Sequence, residues 1–347
     1  MPPYHAMHSF YQTLIAMKNT IKLTLGAIAF ATASLATAQS TLLNVSYDVS
    51  REFYKDLNAA FVASHKKSTG KDIKVVQSHA GSSAQARAVA DGLEAEVVTM
   101  NTTTDVDFLA EKGVVAKDWR QKFPNHAAPT TSTMLFLVRN GNPKGIKDWD
   151  DLIKHGVQVV VVNPKTGGNG RMAYLAAWGQ VRAKGGSDAQ AAEFVGKLYK
   201  NVPVLARGGR DATGVFLQRN IGDVLITFES EVVSVDKEFG AGKVDVIHPS
   251  ASIVAENPVA IVERTVAKKG TAADAKAYLD FLYSPEGQEI AAKHNIRPRN
   301  EAVLKKYAAA FKPIKLFTVE QYFGSLADAQ KVHFNDGGQF DKLYTTK

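Results

Sequence analysis

The sequence predicts an α/β protein of two domains, with a cleft between two mixed sheets flanked by helices. Three observations lead there. Strand-like and helix-like segments alternate along the first third of the chain, the pattern of a parallel sheet layered with helices. The apolar run VQVVVV at residues 157–162 is too short and too β-branched for a helix, and reads as a strand buried on both faces. Two segments, near residues 131–143 and 257–265, read as strands that carry the chain out of one domain and back. The expected division is therefore residues 39–133 with 253–315 as domain I, 134–252 as domain II, and 316–347 as a helical tail packed on the domains.

The chain has 347 residues, 45% hydrophobic and 22% charged, enough for two sizeable cores. Residues 1–38 are set apart from the fold. Lys18 and Lys22 open a short basic segment, LTLGAIAFATASLA is apolar, and Ala36-Thr37-Ala38 is a small-residue cleavage site, the three parts of a secretory signal peptide. The expected start is Met17 and the expected mature terminus Gln39. The apolar segment is short for a membrane span, and no later run approaches the ~20 residues required. The sequence contains no cysteine, so neither disulfides nor a cysteine-linked lipid anchor is available, and a freely diffusing periplasmic monomer is expected. The net charge is +8, and losing Lys18 and Lys22 leaves +6. The basic residues are scattered among acids rather than gathered into a stripe, which argues against a nucleic-acid partner and for a surface that mildly favours anions.

Residues 42–48 read as the first strand, followed by a helix marked by Phe53, Leu57 and Phe61. The strand IKVVQ leads into His79-Ala80-Gly81-Ser82-Ser83 and a second helix, and VVTM at residues 97–100 precedes DVDFLAEKG. TSTMLFLVRNGNP reads as a strand ending in a turn, and DWDDLIKHG as helical. After the central strand, RMAYLAAWGQVRA places Met172, Leu175, Trp178 and Val181 at helical spacing. A further amphipathic helix, SDAQAAEFVGKLYKN, precedes a second glycine loop, Arg207 to Gly214, and a buried strand, Val224–Phe228. NPVAIVERT is expected to return to domain I as one strand. The helical run at 272–294 is interrupted at Ser284-Pro285, and Phe323, Leu326, Ala327 and Ala329 mark the packed face of the tail.

The central loop, NPKTGGNGR at residues 163–171, carries the chemistry. A strand, a glycine-rich loop and a helix start present unpaired backbone N–H groups and about half a positive charge, which favour an anion. A plain turn is the bland alternative. Gly168, Gly170 and Ala173 match a G-x-G-x-x-A spacing, but the next strand-like run ends in Arg207 rather than the acid a dinucleotide ribose requires. Arg171 and Met172 replace the Lys-Ser/Thr of a nucleotide P-loop. Hydrolysis by Ser82 with His79 is the enzymatic rival, although no G-x-S-x-G elbow, H-E-x-x-H motif or cysteine nucleophile is present. No cofactor or metal motif stands out.

Taken together, NVSYDVSREFY, the HAGSS loop, NPKTGGNGR with YLAAWG, NIGDVLITFESE, LYSPEGQEIAAK and IRPRN resemble the periplasmic sulfate-binding proteins of ABC importers, over essentially the whole chain after residue 38. The resemblance implies a type II, Venus-flytrap periplasmic-binding-protein fold that holds an oxyanion in the cleft and delivers it to a membrane permease, without catalysis. By motif position it places ligand contacts on the N–H of Asp48, the hydroxyl and N–H of Ser82, the N–H groups of Gly167, Gly168, Asn169 and Gly209, and on Phe228. Plain helix capping is the alternative role for Asp48 and Ser82. Arg171 is implied to steady the loop, with Arg207, Arg210 and Asp211 as neighbours.

The chain departs from the family pattern, which has serine at Gly167, glycine at Asn169, alanine at Gly170 and tryptophan at Phe228. It also has serine at Arg207 and glycine at Asp211. A hydroxyl and an indole donor are lost, each worth ~1–3 kcal/mol to a buried charge. Sulfate, with thiosulfate beside it, is the expected ligand. The alternative is another tetrahedral oxyanion, namely phosphate, phosphonate, molybdate or organosulfonate, with Asp211 accepting a proton from a hydrogenphosphate or phosphonate.

Overall fold

The computed structural model describes residues 40–344; the expected signal peptide lies outside them. Strands β1 (Ser40–Tyr47), β2 (Ile73–Ala80), β3 (Val97–Thr99) and a later strand, β12, form the first sheet in the order β12-β3-β1-β2. β1 pairs in parallel with both β2 and β3. Helices α1 (Arg51–Thr69), α2 (Ser82–Ala90) and α3 (Thr103–Glu111) follow these strands in turn. α1 is preceded by a 3-10 turn, Asp48–Ser50, and stops at Gly70, whose left-handed φ of 71° a side chain would strain.

The segment read as one strand near 131–143 is two. β4 (Thr130–Ser132) and β5 (Met134–Arg139) lie in different sheets, and the chain turns at Thr133, whose hydroxyl donates to the Ile253 carbonyl at 2.8 Å while its own carbonyl accepts from Glu229 N–H at 3.0 Å. The second large sheet, β7-β6-β8-β5-β9, combines β5 with β6 (Val159–Val162), β7 (Leu205–Ala206), β8 (Val224–Phe228) and β9 (Val244–Ile247). β6 is buried along its whole length, as its unbroken valines predict. β10 (Ala251–Ile253) and β11 (Ala255–Asn257) carry the chain back to β12 (Val259–Ile261). The expected single returning strand is thus broken at Pro258, which has no N–H to offer a ladder, and Glu263 to Thr265 begin a helix instead. β13 (Arg297–Pro298) joins β11 and β4, and β14 (Lys315–Phe317) pairs with β10.

The DWDDLIKHG segment forms only a 3-10 turn, Trp149–Ile153, closed by a capping box between Asp148 and Asp151. The break at Ser284-Pro285 is present, with Ser284 Oγ accepting from Gly287 N–H at 3.1 Å. One core lies around the first sheet, on Leu42, Val45, Leu57 and Tyr278; a second lies on one face of the other sheet and includes the tail residues Phe334 and Phe340; a third fills its opposite face around Phe216 and Val160. No helix among the described residues is long and apolar enough to cross a membrane.

Candidate functional site

Helix starts from the halves built on the two large sheets come against one another. On the first half these are the turn at Asp48 and the N-terminus of α2 at Ser82, with the Asn101-Thr102 turn before α3 beside them. On the second they are α4 (Gly168–Ala183) and, after α5 (Asp188–Lys200), the short α6 (Gly209–Thr213). The glycine run is therefore not a loop ahead of the helix but its first turn, entered through Gly167 in extended conformation. The reason is spatial. A Cβ on Gly168 would overlap Asn101 Oδ1 and come within 2.6 Å of Thr102 Cγ2, and one on Gly208 would lie 2.6 Å from Asp48 Oδ2. A Cβ on Gly209 would overlap Val49. Across the same seam, the Cβ position of Gly81 is 3.5 Å from the carbonyls of Thr166 and Arg207.

Asp48, Ser82, Gly168, Asn169 and Gly209 are thus brought together. Ser82 is 1% exposed; its Oγ accepts from Asn101 N–H at 3.4 Å and donates to Met100 Sδ at 3.5 Å. Gly168 and Asn169 open α4, and Gly209 opens α6, so their N–H groups belong to first turns that leave donors without an intrahelical acceptor. Gly167 differs from the expectation. Its N–H already donates to the Asn163 carbonyl at 3.1 Å, because the loop closes a tight turn before the helix begins.

The carboxylate of Asp48 is engaged across the seam. Its Oδ1 accepts from Val49 N–H and its Oδ2 from Arg210 N–H on the opposite half, both at 3.0 Å. Burial raises the Asp48 pKa, and the Arg210 N–H bond opposes that shift. Phe228 ends β8 buried at 1% exposure, edge-on to Tyr47 with ring centroids 6.4 Å apart. The indole N–H groups of Trp119, Trp149 and Trp178 donate to Asp107, the Ala251 carbonyl and Asp188, so none replaces the donor that phenylalanine lacks.

Two arginines span the halves. Arg171, 7% exposed, donates to Ser83 Oγ and to Asp105 Oδ1 at 3.0 Å on the first half, and to Gln330 Oε1 at 3.0 Å on the tail. Arg210 lies 3.5 Å from Glu52 on the first half, 3.8 Å from Glu231 and 2.5 Å from Glu238. Glu231 is fully buried and its pKa is pushed up to about 8 by that burial, with Arg210 opposing the shift. Arg207 and Asp211 are placed at the exposed rim. Asp211 Oδ2 accepts from Arg207 N–H at 2.9 Å and its Oδ1 from Arg219 at 2.9 Å, a local cap rather than an acceptor facing the centre. The proton-accepting role expected of Asp211 has no support in that position.

The Ser82–His79 pairing needed for hydrolysis is not made. His79 Nδ1 lies 3.3 Å from the Tyr47 carbonyl, Ser82 is committed elsewhere, and burial lowers the His79 pKa to about 4. Among the described residues, no group of three or more histidines and acids could hold a metal ion.

Sequence reasoning missed Asn101, Thr227, Ser83 and Asp105. Asn101 follows a strand and precedes a helix, the same signal that marked Asn163 to Arg171, but without glycines. It is 3% exposed and its Oδ1 has no partner; Asn169, 4% exposed, donates through Nδ2 to Thr227 Oγ1 at 3.2 Å and its Oδ1 has none.

The family model for bacterial extracellular solute-binding proteins matches residues 43–297. A thiosulfate-binding protein of Pseudomonas aeruginosa is 53% identical over 330 residues, covering 95% of this chain and 99% of that one. A sulfate-binding protein of Escherichia coli is 51% identical over 303 residues, 87% of this chain and 92% of its own. Among solved structures, the sulfate-binding protein SubI of Mycobacterium tuberculosis superposes with a TM-score of 0.76 at 31% identity, covering 83% of this chain and 98% of that one. A periplasmic thiamin binding protein shares the fold alone, with a TM-score of 0.62 at 16% identity, covering 88% of this chain and 96% of that one. On this fold, this convergence of helix starts and these relatives, the chain belongs to the sulfate- and thiosulfate-binding family of bacterial extracellular solute-binding proteins, a family of carriers rather than enzymes.

Proposed function

We propose that this protein captures sulfate or thiosulfate between its two halves and hands the anion to the permease of an ABC importer. One observation carries the reading: the first turns of helices from both halves come against one another, Gly168 on Asn101 and Thr102, Gly209 on Val49, and Gly81 beside the carbonyls of Thr166 and Arg207, so that the helix starts at Ser82, Gly168 and Gly209 are neighbours. Backbone donors suit a dianion because several charge-assisted bonds, each worth ~1.5–3 kcal/mol, replace its water without adding a mobile counter-charge. Arg171 and Arg210 are already occupied by carboxylates and act as clasps between the halves.

Closure follows from the same arrangement. Donors from one half alone hold the anion weakly; the closed form adds the other set, so the ligand shifts the population toward closure. The change of sheet between Ser132 and Met134 supports domain I as residues 39–133 with 253–315 and domain II as 134–252. Cleavage after Ala38 delivers the carrier to the periplasm. Titration calorimetry on the chain from Gln39 tests the assignment: sulfate or thiosulfate binds with micromolar or tighter affinity, while phosphate stays silent. Absence of heat and of thermal stabilisation with both sulfur oxyanions at millimolar concentration overturns it.

A further inference from the structure

We infer that the side-chain amides of Asn101 and Asn169 are themselves ligands of the bound anion, each presenting its NH2 group to it. The inference rests on the sulfate or thiosulfate reading and adds two contacts to it. Both side chains are more than nine-tenths buried, and each has a carbonyl oxygen with no partner. A buried acceptor left unpaired costs ~1–3 kcal/mol, so two of them in one place call for a physical explanation.

Their positions supply it. Asn101 touches Gly168 at the start of α4, and its backbone N–H lies on Ser82 at the start of α2. Asn169 Nδ2 is 3.4 Å from the Cβ position of Gly209 at the start of α6. The two amides therefore occupy the seams between three helix starts that face the same space.

An amide is nearly symmetric in shape, so half a turn about its last bond exchanges acceptor for donors at little steric cost. For Asn169 the exchange keeps its existing bond. Thr227 Oγ1, which accepts from Nδ2 at 3.2 Å, is a hydroxyl and can donate to Oδ1 instead. Asn101 makes no side-chain hydrogen bond that the exchange would break. With an anion in place, both NH2 groups can turn toward it and both unpaired carbonyls move off it. Sulfate and thiosulfate offer only acceptors and match that state. A protonated oxyanion needs an acceptor here and would reverse it. The amides also supply side-chain donors in a site where the family's serine and tryptophan are Gly167 and Phe228.

The test uses Asn101→Ala, Asn169→Ala, Asn101→Asp and Asn169→Asp in the full chain from Gln39, titrated with sulfate, thiosulfate and inorganic phosphate at pH 7.5. Aspartate keeps the shape, removes the NH2 group and adds a negative charge. Each alanine variant loses about tenfold in affinity for the preferred sulfur oxyanion. Each aspartate variant loses about a hundredfold or more, because a like charge then faces the ligand. Melting curves without ligand separate this from a structural role, which would lower the melting temperature and leave affinity intact. Aspartate variants that bind sulfate or thiosulfate like the parent overturn the assignment; a gain of phosphate binding supports it, because a carboxylate facing the ligand accepts the proton of hydrogenphosphate. A parent that binds neither sulfur oxyanion overturns the carrier reading itself, and the variants are not needed to see it.

Discussion

The two sides of the site are built differently. The first half offers side chains, with Asp48, Val49, Asn101 and Thr102 all projecting toward the partner half. The second offers bare backbone, with Gly168, Gly208 and Gly209 lying where those side chains arrive. Knobs on one half meet sockets on the other, and the sockets exist because three successive contacts lack a Cβ. The helix starts can then approach closely enough for one small anion to be shared between them. A second contrast runs alongside: Arg171 clasps the halves from a buried position, whereas Arg210 does so from a partly exposed one.

Breaking the buried clasp is the severest way to test that contrast. Arg171→Ala leaves Asp105 buried without its cation, a change that costs ~3–5 kcal/mol when a buried pair loses one partner. The loss is expected in the liganded form above all, as a collapse of the ligand-induced rise in melting temperature. Filling a socket comes next. Gly168→Ala drives a methyl group into Asn101 and Thr102, and overpacking of this kind costs ~1–3 kcal/mol, so affinity measured by calorimetry falls about tenfold to a hundredfold. The corresponding loss of a knob, Val49→Ala, opens space instead of closing it and should cost less; equal losses for the two would erase the distinction between the halves.

The smallest effect concerns pH. Glu231 is protonated in the fold up to about pH 8 and ionises near 4.5 when exposed, so between these values the folded state binds more protons than the unfolded one. Its contribution to stability is present below that window and is lost as pH rises through it. Burial of His79 has the opposite sign and acts between about pH 4 and 6.5. The interval from pH 7 to 8 lies above the range of His79: melting temperature should decline there, and Glu231→Gln should flatten the decline. An unchanged slope in that variant would remove Glu231 as its source.

Much of the fold was legible because its signals are local. The valines of β6, the helical spacing after Arg171 and the Ser284-Pro285 break each read from a few neighbouring residues. The breaks at Thr133 and Pro258 were less visible, since an apolar strand pattern does not reveal which sheet each piece joins. At the site, strand-glycine-helix order and the family resemblance pointed to Ser82, Gly168, Asn169 and Gly209. They did not point to Asn101, because its significance depends on Gly168, 67 positions later, coming to rest against it. Asp211 was misplaced for a similar reason: four residues of local chain satisfy its carboxylate before the cleft can claim it.

Phe228 has a further consequence at the bench. It stands where the family pattern has tryptophan, and the chain's three tryptophans are each buried and engaged elsewhere. Intrinsic emission should therefore be a poor witness to occupancy, and heat or an attached dye is the better reporter for this carrier.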